Sequence, residues 1–149
     1  MKRLIALGTI SIAACVLAAP ASGHAPGTKY FVGKGDSHKA KVAFRVSKGK
    51  VKNAIVDGRD LVCKKRTYDT FFYNFDSAKL DGTRFYKRRS EKDRDFLWAG
   101  HVRGDQASGR LEYKSSIKAS GRCNTTVIRW DAKTVSKRKW QKVSGFKPA

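Results

Sequence analysis

From Lys29 onward the chain runs in short stretches of alternating apolar and polar residues, separated by Gly, Asp and Ser. A period of two with breaks of that kind predicts β-strands joined by turns. The first run, Lys29 to Val32, ends at Gly33-Lys34-Gly35-Asp36. In the second, Val42, Phe44 and Val46 share one face, with Lys41 and Arg45 on the other. Gly49 turns the chain into a run from Val51 to Val56, and Asp57-Gly58-Arg59-Asp60 is expected to break it before Leu61, Val62 and Cys63. From Lys64 to Asp81 the aromatics Phe71, Phe72, Tyr73 and Phe75 cluster without a clean period, as in a short helix or a cover over one end of a core.

Thr83 to Arg88 reads as another strand, followed by a polar turn from Arg89 to Arg94. The clearest hairpin comes next, with Phe96, Trp98, Gly100 and Val102 on one face. A turn spans Gly104 to Gly109, and Leu111, Tyr113, Ser115 and Ile117 continue that face. This register sets His101 opposite Glu112. The last strand, Cys123 to Lys133, turns Thr126, Ile128, Trp130 and Ala132 inward and Arg129 and Asp131 outward. Helical periodicity is sustained nowhere after the first residues, and the basic stretch 136–149 reads as a flexible tail. The expected fold is all-β: one antiparallel sandwich or barrel over residues 24–135, of about seven or eight strands.

The beginning of the chain follows a different pattern. Lys2 and Arg3 precede an apolar stretch from Leu4 to Ala19, and small residues offer cleavage after Ala21 or Gly23. That is the signature of an export signal over residues 1–23, too short and too rich in Ala for a membrane span. Ile12-Ala13-Ala14-Cys15 also resembles a lipobox, which would lipidate Cys15 and tether the domain. The apolar run continuing past the cysteine favours release over anchoring. The expected location is therefore extracytoplasmic, secreted or, less favoured, held at a membrane through Cys15.

Removal or lipidation of Cys15 leaves Cys63 and Cys123, and in an oxidising compartment the default for two such cysteines is a disulfide. Cleavage after Gly23 leaves 126 of the 149 residues, enough for one domain with its own core. Charge then changes the picture. The chain has 33 Lys and Arg against 12 Asp and Glu, and loss of Lys2 and Arg3 leaves 31 against 12, a net +19. Such an excess repels itself in the compact state and attracts polyanions. It exceeds what solubility requires.

Several landmarks recur together: Val42-x-Phe44-x-Val46 before Gly49-x-Val51, the lone Cys63, and Asp81-Gly82-Thr83-Arg84-Phe85. Phe96 to Gly100, Ala107-x-Gly109-x-Leu111, and Gly121-x-Cys123-x-Thr125 leading to Trp130-x-Ala132 complete the set. In this order they resemble an uncharacterised family of small secreted bacterial β-domain proteins with one disulfide, over about residues 30 to 133. The resemblance implies a sandwich or barrel and no activity. The basic tail and the high charge lie outside the shared pattern.

Candidate chemistry is sparse. His24 sits at the expected cleavage site and His38 in a turn, leaving His101 as the histidine on a predicted strand. Opposite Glu112, with Arg103 and Arg110 beside them, it would supply the acid to a carboxylate base for RNA cleavage. The plainer reading of that pair is an exposed cross-strand ion pair. No metal site is expected: there is no CxxC, and Asp57 and Asp60 lack the ligand ladder of a calcium loop. No glycine loop for phosphates, nucleophile elbow or cofactor motif is found.

Binding has more to draw on. Lys87-Arg88-Arg89 ends a strand, Lys64-Lys65-Arg66 follows Cys63, and Lys137-Arg138-Lys139-Trp140 joins an aromatic to a charge run. The expected role is non-catalytic capture of an anionic envelope polymer, lipid headgroups or an acidic polysaccharide. Non-specific nucleic acid is a further partner, since no helical element for base reading is evident. A small secreted hydrolase acting on RNA is the runner-up. A protein-interaction module, signalled by an apolar patch around Phe71 to Phe75, is the third reading.

Overall fold

The structure, a computed structural model, describes residues 27–63, 68–116, 122–124 and 127–145. The expected export signal with Cys15, His24, the cluster Lys64, Lys65 and Arg66, and Ile117 and Thr126 lie outside the described residues. Strands β1 (Lys29–Gly35), β2 (Lys41–Ser47), β3 (Lys50–Val62) and β4 (Tyr68–Lys79) form one meander. Strands β5 (Arg84–Glu91), β6 (Arg94–Arg103) and β7 (Gln106–Ser115) form a second. The short β8 (Cys123–Asn124) pairs with the far end of β7, and β9 (Ile128–Val135) joins the meanders by pairing with β7 and β1. The order β4-β3-β2-β1-β9-β7-β6-β5 makes an antiparallel, nearly closed barrel whose seam lies between β4 and β5.

Inward positions carry aromatic rings, and these fill the barrel. Phe31, Phe44, Phe85, Trp98 and Trp130 pack as one group, with Phe44 and Trp98 at 5.4 Å and Phe85 and Trp98 at 4.5 Å between centroids. Phe71, Tyr73, Phe75, Phe96 and Tyr113 form another, and Phe75 meets Trp98 at 5.8 Å to link them. Rings of this size need space on the facing strands, and glycine provides it. Gly100 lies opposite Gly109, and the Trp130 indole covers both. A Cβ on Gly100 would sit 2.6 Å from Trp130 Cζ2 and 2.6 Å from the Ser108 carbonyl oxygen.

Two of the predicted elements differ in the structure because glycine and aromatics serve packing there. Strand β3 runs unbroken through Asp57-Gly58-Arg59-Asp60, with a bulge between Gly58 and Leu61. Gly58 is buried under Phe71, whose ring occupies the place of a Cβ, so this glycine makes room for a ring and does not turn the chain. The aromatic stretch is itself a strand, β4, in which Phe71, Tyr73 and Phe75 point inward and Phe72 is 65% exposed. An aromatic on both faces conceals the alternation.

Turns are tighter than the composition suggests. Lys48-Gly49 has both residues in the left-handed region, as a two-residue hairpin requires, and the β5–β6 turn is Lys92-Asp93. The β6–β7 turn is Gly104-Asp105, with Arg103 paired to Gln106, where the sequence suggests a turn reaching Gly109. The run from Cys123 to Lys133 divides into β8 and β9. Cys63 and Cys123 form the expected disulfide, fastening the end of β3 to β8 across a separation of 60 residues. A loop of that length is worth roughly 4 kcal/mol in the chain-entropy account.

The expected flexible tail instead begins with a helix, α1 (Lys137–Ser144). The Ser136 hydroxyl accepts the Lys139 N–H at 3.3 Å, and Gly145, at φ 69°, closes the other end by donating its N–H to the Gln141 carbonyl. Eight residues are too few for a helix stable on its own in water. Trp140 and Ser144, one turn apart, are its buried face, and the Trp140 ring lies 5.2 Å from Tyr30 on the outer side of β1.

The close fit of Trp130 over the paired glycines yields a prediction. Gly109→Ala, whose new methyl would meet the Ala99 carbonyl oxygen and Trp130, is expected to cost about 3 kcal/mol or more, read as a lower urea midpoint. Gly27→Ala, with open space around it, is expected to stay within about 0.5 kcal/mol of the parent. Equal stability of both variants would mean that the ring does not rest on the glycine backbone.

Candidate anion-binding surface

The alternation that sends rings inward sends charge to the outer wall. Pairing from strand to strand, one rung reads Arg84, His101, Ser108, Asp131, Lys34, Lys41 and Asp57, from β5 round to β3. The next reads Tyr86, Ala99, Arg110 and Arg129. Two pairs of cations therefore face each other directly, Lys34 with Lys41 and Arg110 with Arg129, an arrangement that destabilises a sheet. All four are exposed. Lys34, Lys41 and Arg129 form no ion pair among the described residues, and Arg110 reaches only Glu112, at 4.0 Å.

The tight β6–β7 turn separates His101 from Glu112, the cross-strand pair that the sequence register suggests. His101 lies opposite Ser108, and Glu112 lies opposite Leu97, four residues farther along β7 and so about 13 Å away. The shift is by an even number, so both side chains stay on the outer wall while their partnership is lost. His101 Nε2 instead meets Ser108 Oγ at 3.1 Å, beside a shallow hollow of about 320 Å³ lined by Arg103, Gln106, Asp131 and Lys133. In a Ser-His-Asp triad the imidazole stands between hydroxyl and carboxylate. Here Ser108 stands between His101 and Asp131, so the carboxylate does not orient the ring.

The cluster Lys87-Arg88-Arg89 does not converge on one patch, because successive residues of a strand point to opposite sides. Arg88 is on the outer wall and grips Asp95 with two bonds, of 3.0 and 2.7 Å, while Ser90 donates to the same carboxylate at 2.7 Å. The Arg88 bonds, and then that of Ser90, hold the Asp95 carboxyl below its ordinary range. Lys87 and Arg89 lie on the other side, facing the seam. Arg89 pairs with Glu91 at 2.9 Å, and its guanidinium sits 6.0 Å from the centre of the Tyr73 ring on β4. Burial pushes the Tyr73 phenol above its ordinary value. Charges on an edge strand such as β5 also oppose pairing with other chains.

In the basic segment, Lys137, Arg138 and Lys139 are exposed on the first turn of α1, with no acid beside them in that turn. Trp140 is buried, which takes it away from the stacking role its position in the charge run suggests. It anchors the helix instead. Of the aromatic cluster on β4, only Phe72 faces outward, with Tyr86 on β5 also exposed. Among the described residues no three His, Cys, Asp or Glu gather to hold a metal ion, and no helix is long and apolar enough to cross a membrane.

Sequence reasoning missed the opposed pairs Lys34–Lys41 and Arg110–Arg129. Each residue is visible as an outward position of a strand. Only the register shows which cation faces which.

Because the Asp95 carboxyl is depressed in the fold, its contribution to stability is fully present above the unfolded carboxylate value of about 3.9 and is lost as pH falls through the folded value. Asp95→Asn is therefore expected to lower the urea midpoint at pH 7, with the gap to the parent closing below about pH 4. A gap unchanged down to about pH 2 would mean that Arg88 does not hold the carboxylate.

No protein-family model matches the chain, and no curated protein and no solved structure matches it.

Proposed function

We propose that this chain is a non-catalytic binding domain that works outside the cytoplasm, taking an anionic polymer or surface onto its outer wall and helix α1. The observation that carries the reading is the placement of cations where they work against the fold. Lys34 faces Lys41 and Arg110 faces Arg129 across paired strands. Lys137, Arg138 and Lys139 crowd the first turn of α1, the positive end of the helix dipole, where acids would stabilise and cations do the reverse. Charge meant only for solubility could sit at places without that penalty. A polyanion lying along the wall would relieve each repulsion at once.

The Cys63–Cys123 disulfide supports an oxidising, extracytoplasmic setting. The partners that fit are those present there: anionic envelope polymers, lipid headgroups, acidic polysaccharides and free nucleic acid. The hydrolase reading loses its acid–base pair, since His101 and Glu112 are on different rungs. The interaction-module reading retains the exposed Phe72 and Tyr86 beside the seam.

The test is binding to a panel of anionic polymers and vesicles across a salt series. Affinity is expected to fall log-linearly with salt, with a slope of about 0.7 to 0.9 per neutralised phosphate on nucleic acid. Replacing Lys137, Arg138 and Lys139 together by Gln is expected to shallow the slope by about two units. Weak binding to every polymer, abolished by about 0.15 M salt, would reduce the charge to surface character. RNA cleavage that disappears in His101→Ala would return the protein to the hydrolase reading.

A further inference from the structure

At the loop between β1 and β2 cations line a hollow without an acid among them. This hollow of about 380 Å³ is lined by Lys34, Gly35, Lys39, Ala40, Lys41 and Arg59, four cations with no carboxylate among them. They come from three places: the end of β1, the start of β2 with the loop before it, and β3. Asp131 and Asp57 lie beside Lys34 and Lys41 in the pairing, yet neither lines the hollow. Lys34, Lys41 and Arg59 form no ion pair among the described residues.

The loop is fastened on both sides. Its Asp36 N–H donates to the Arg129 carbonyl at 2.8 Å, and the Arg129 N–H returns a bond to the Asp36 carboxylate at 3.1 Å, tying it to β9. On the other side, the Arg59 N–H donates to the His38 carbonyl at 2.7 Å, tying it to β3. Within the loop, Gly35 donates to Ala40 and Ala40 to Ser37. His38 and Lys39 both lie in the left-handed region, at φ 53° and 48°, a conformation that costs free energy for residues other than glycine. A strained, doubly tethered loop holds Lys39 beside Lys34, Lys41 and Arg59 against their mutual repulsion.

We propose that this hollow is a discrete site for one tetrahedral oxyanion, the phosphate or sulfate ester group of an anionic polymer. Arg59 supplies a planar fork that grips two oxygens at once, and Lys34 and Lys41 act as point charges around the remainder. The tethered loop holds the site in place before the ligand arrives, which lowers the ordering cost of binding. The proposal deepens the polyanion reading: the wall attracts the polymer by its field, and this site fixes where one of its charged groups rests.

The test is titration of the ¹⁵N-labelled protein with inorganic phosphate, inorganic sulfate and acetate at constant ionic strength. Phosphate or sulfate is expected to saturate at one equivalent, with shifts concentrated at residues 34–41 and 59, and acetate to bind at least 10-fold more weakly. Arg59→Gln and Lys41→Gln, each checked for an unchanged melting temperature, should weaken that binding at least 10-fold, while Lys92→Gln, in the β5–β6 turn away from the hollow, should leave it unchanged. Shifts spread over the whole wall, no saturation, or equal response to acetate would overturn the site.

A phosphodiester oligomer and a sulfated oligosaccharide then separate the two sources by which of them loses affinity in Arg59→Gln. If both keep parent affinity, the site is refuted and the distributed reading stands. If phosphate or sulfate saturates the hollow but neither oligomer binds, the site stands for a small oxyanion and the polymer reading falls.

Discussion

The Trp130 indole rests on the bare backbone of Gly100 and Gly109, and this contact sets the shape of the barrel around it. With glycine on both facing strands, a large ring can lie against the sheet where side chains would otherwise hold it off. From Trp130 the packing passes to Phe44, Phe85 and Trp98, and through Phe75 to the rings around Tyr73 and Tyr113. Gly58 under Phe71 repeats the device on the other side. The interior is thus filled by aromatic packing, and the binding surface we propose lies on the outside.

That surface is built from the same strands, so its chemistry follows from the packing. Each inward ring fixes its neighbours outward, and the pairing then brings Lys34 against Lys41 and Arg110 against Arg129. A core this well filled, with a disulfide tying β3 to β8, can carry such repulsion. Elsewhere the fold settles its own charges: Arg88 with Asp95, Arg89 with Glu91, and Lys29 with Asp105 at 2.9 Å. Arg88 and Arg89, beside the seam, are paired in this way, whereas Lys34, Lys41 and Arg129 form no ion pair among the described residues. At the β1–β2 loop Lys34, Lys41 and Arg59 are brought together beside a backbone tethered to β9 and β3.

The seam shows how one set of residues can mislead a reading from composition. Lys87-Arg88-Arg89 looks like a basic patch in one dimension. On β5 the strand period divides it, placing Arg88 on the wall and Lys87 and Arg89 toward β4, where Arg89 covers the Tyr73 ring. Trp140 is a similar case, since in the chain it joins a charge run and in the fold it lies against Tyr30. In the fold Ser136 and Gly145 cap the helix. A helix of eight basic-rich residues nevertheless needs that buried ring to persist.

By itself the sequence determined the class of fold, which residues face inward on most strands, the pairing of Cys63 with Cys123, and the cationic character. These depend on local period, on cysteine arithmetic and on composition, all carried within short stretches of chain. Only the tertiary structure decided the register, and with it which side chains meet. A period of two is unchanged when a strand slides by two or four residues, so the pattern that buries Trp98 and Leu111 allows His101 to face either Glu112 or Ser108. The two-residue turn at Gly104-Asp105 chose Ser108. The same register, together with two tethers from distant strands, assembled Lys34, Lys39, Lys41 and Arg59 from segments that the sequence keeps apart.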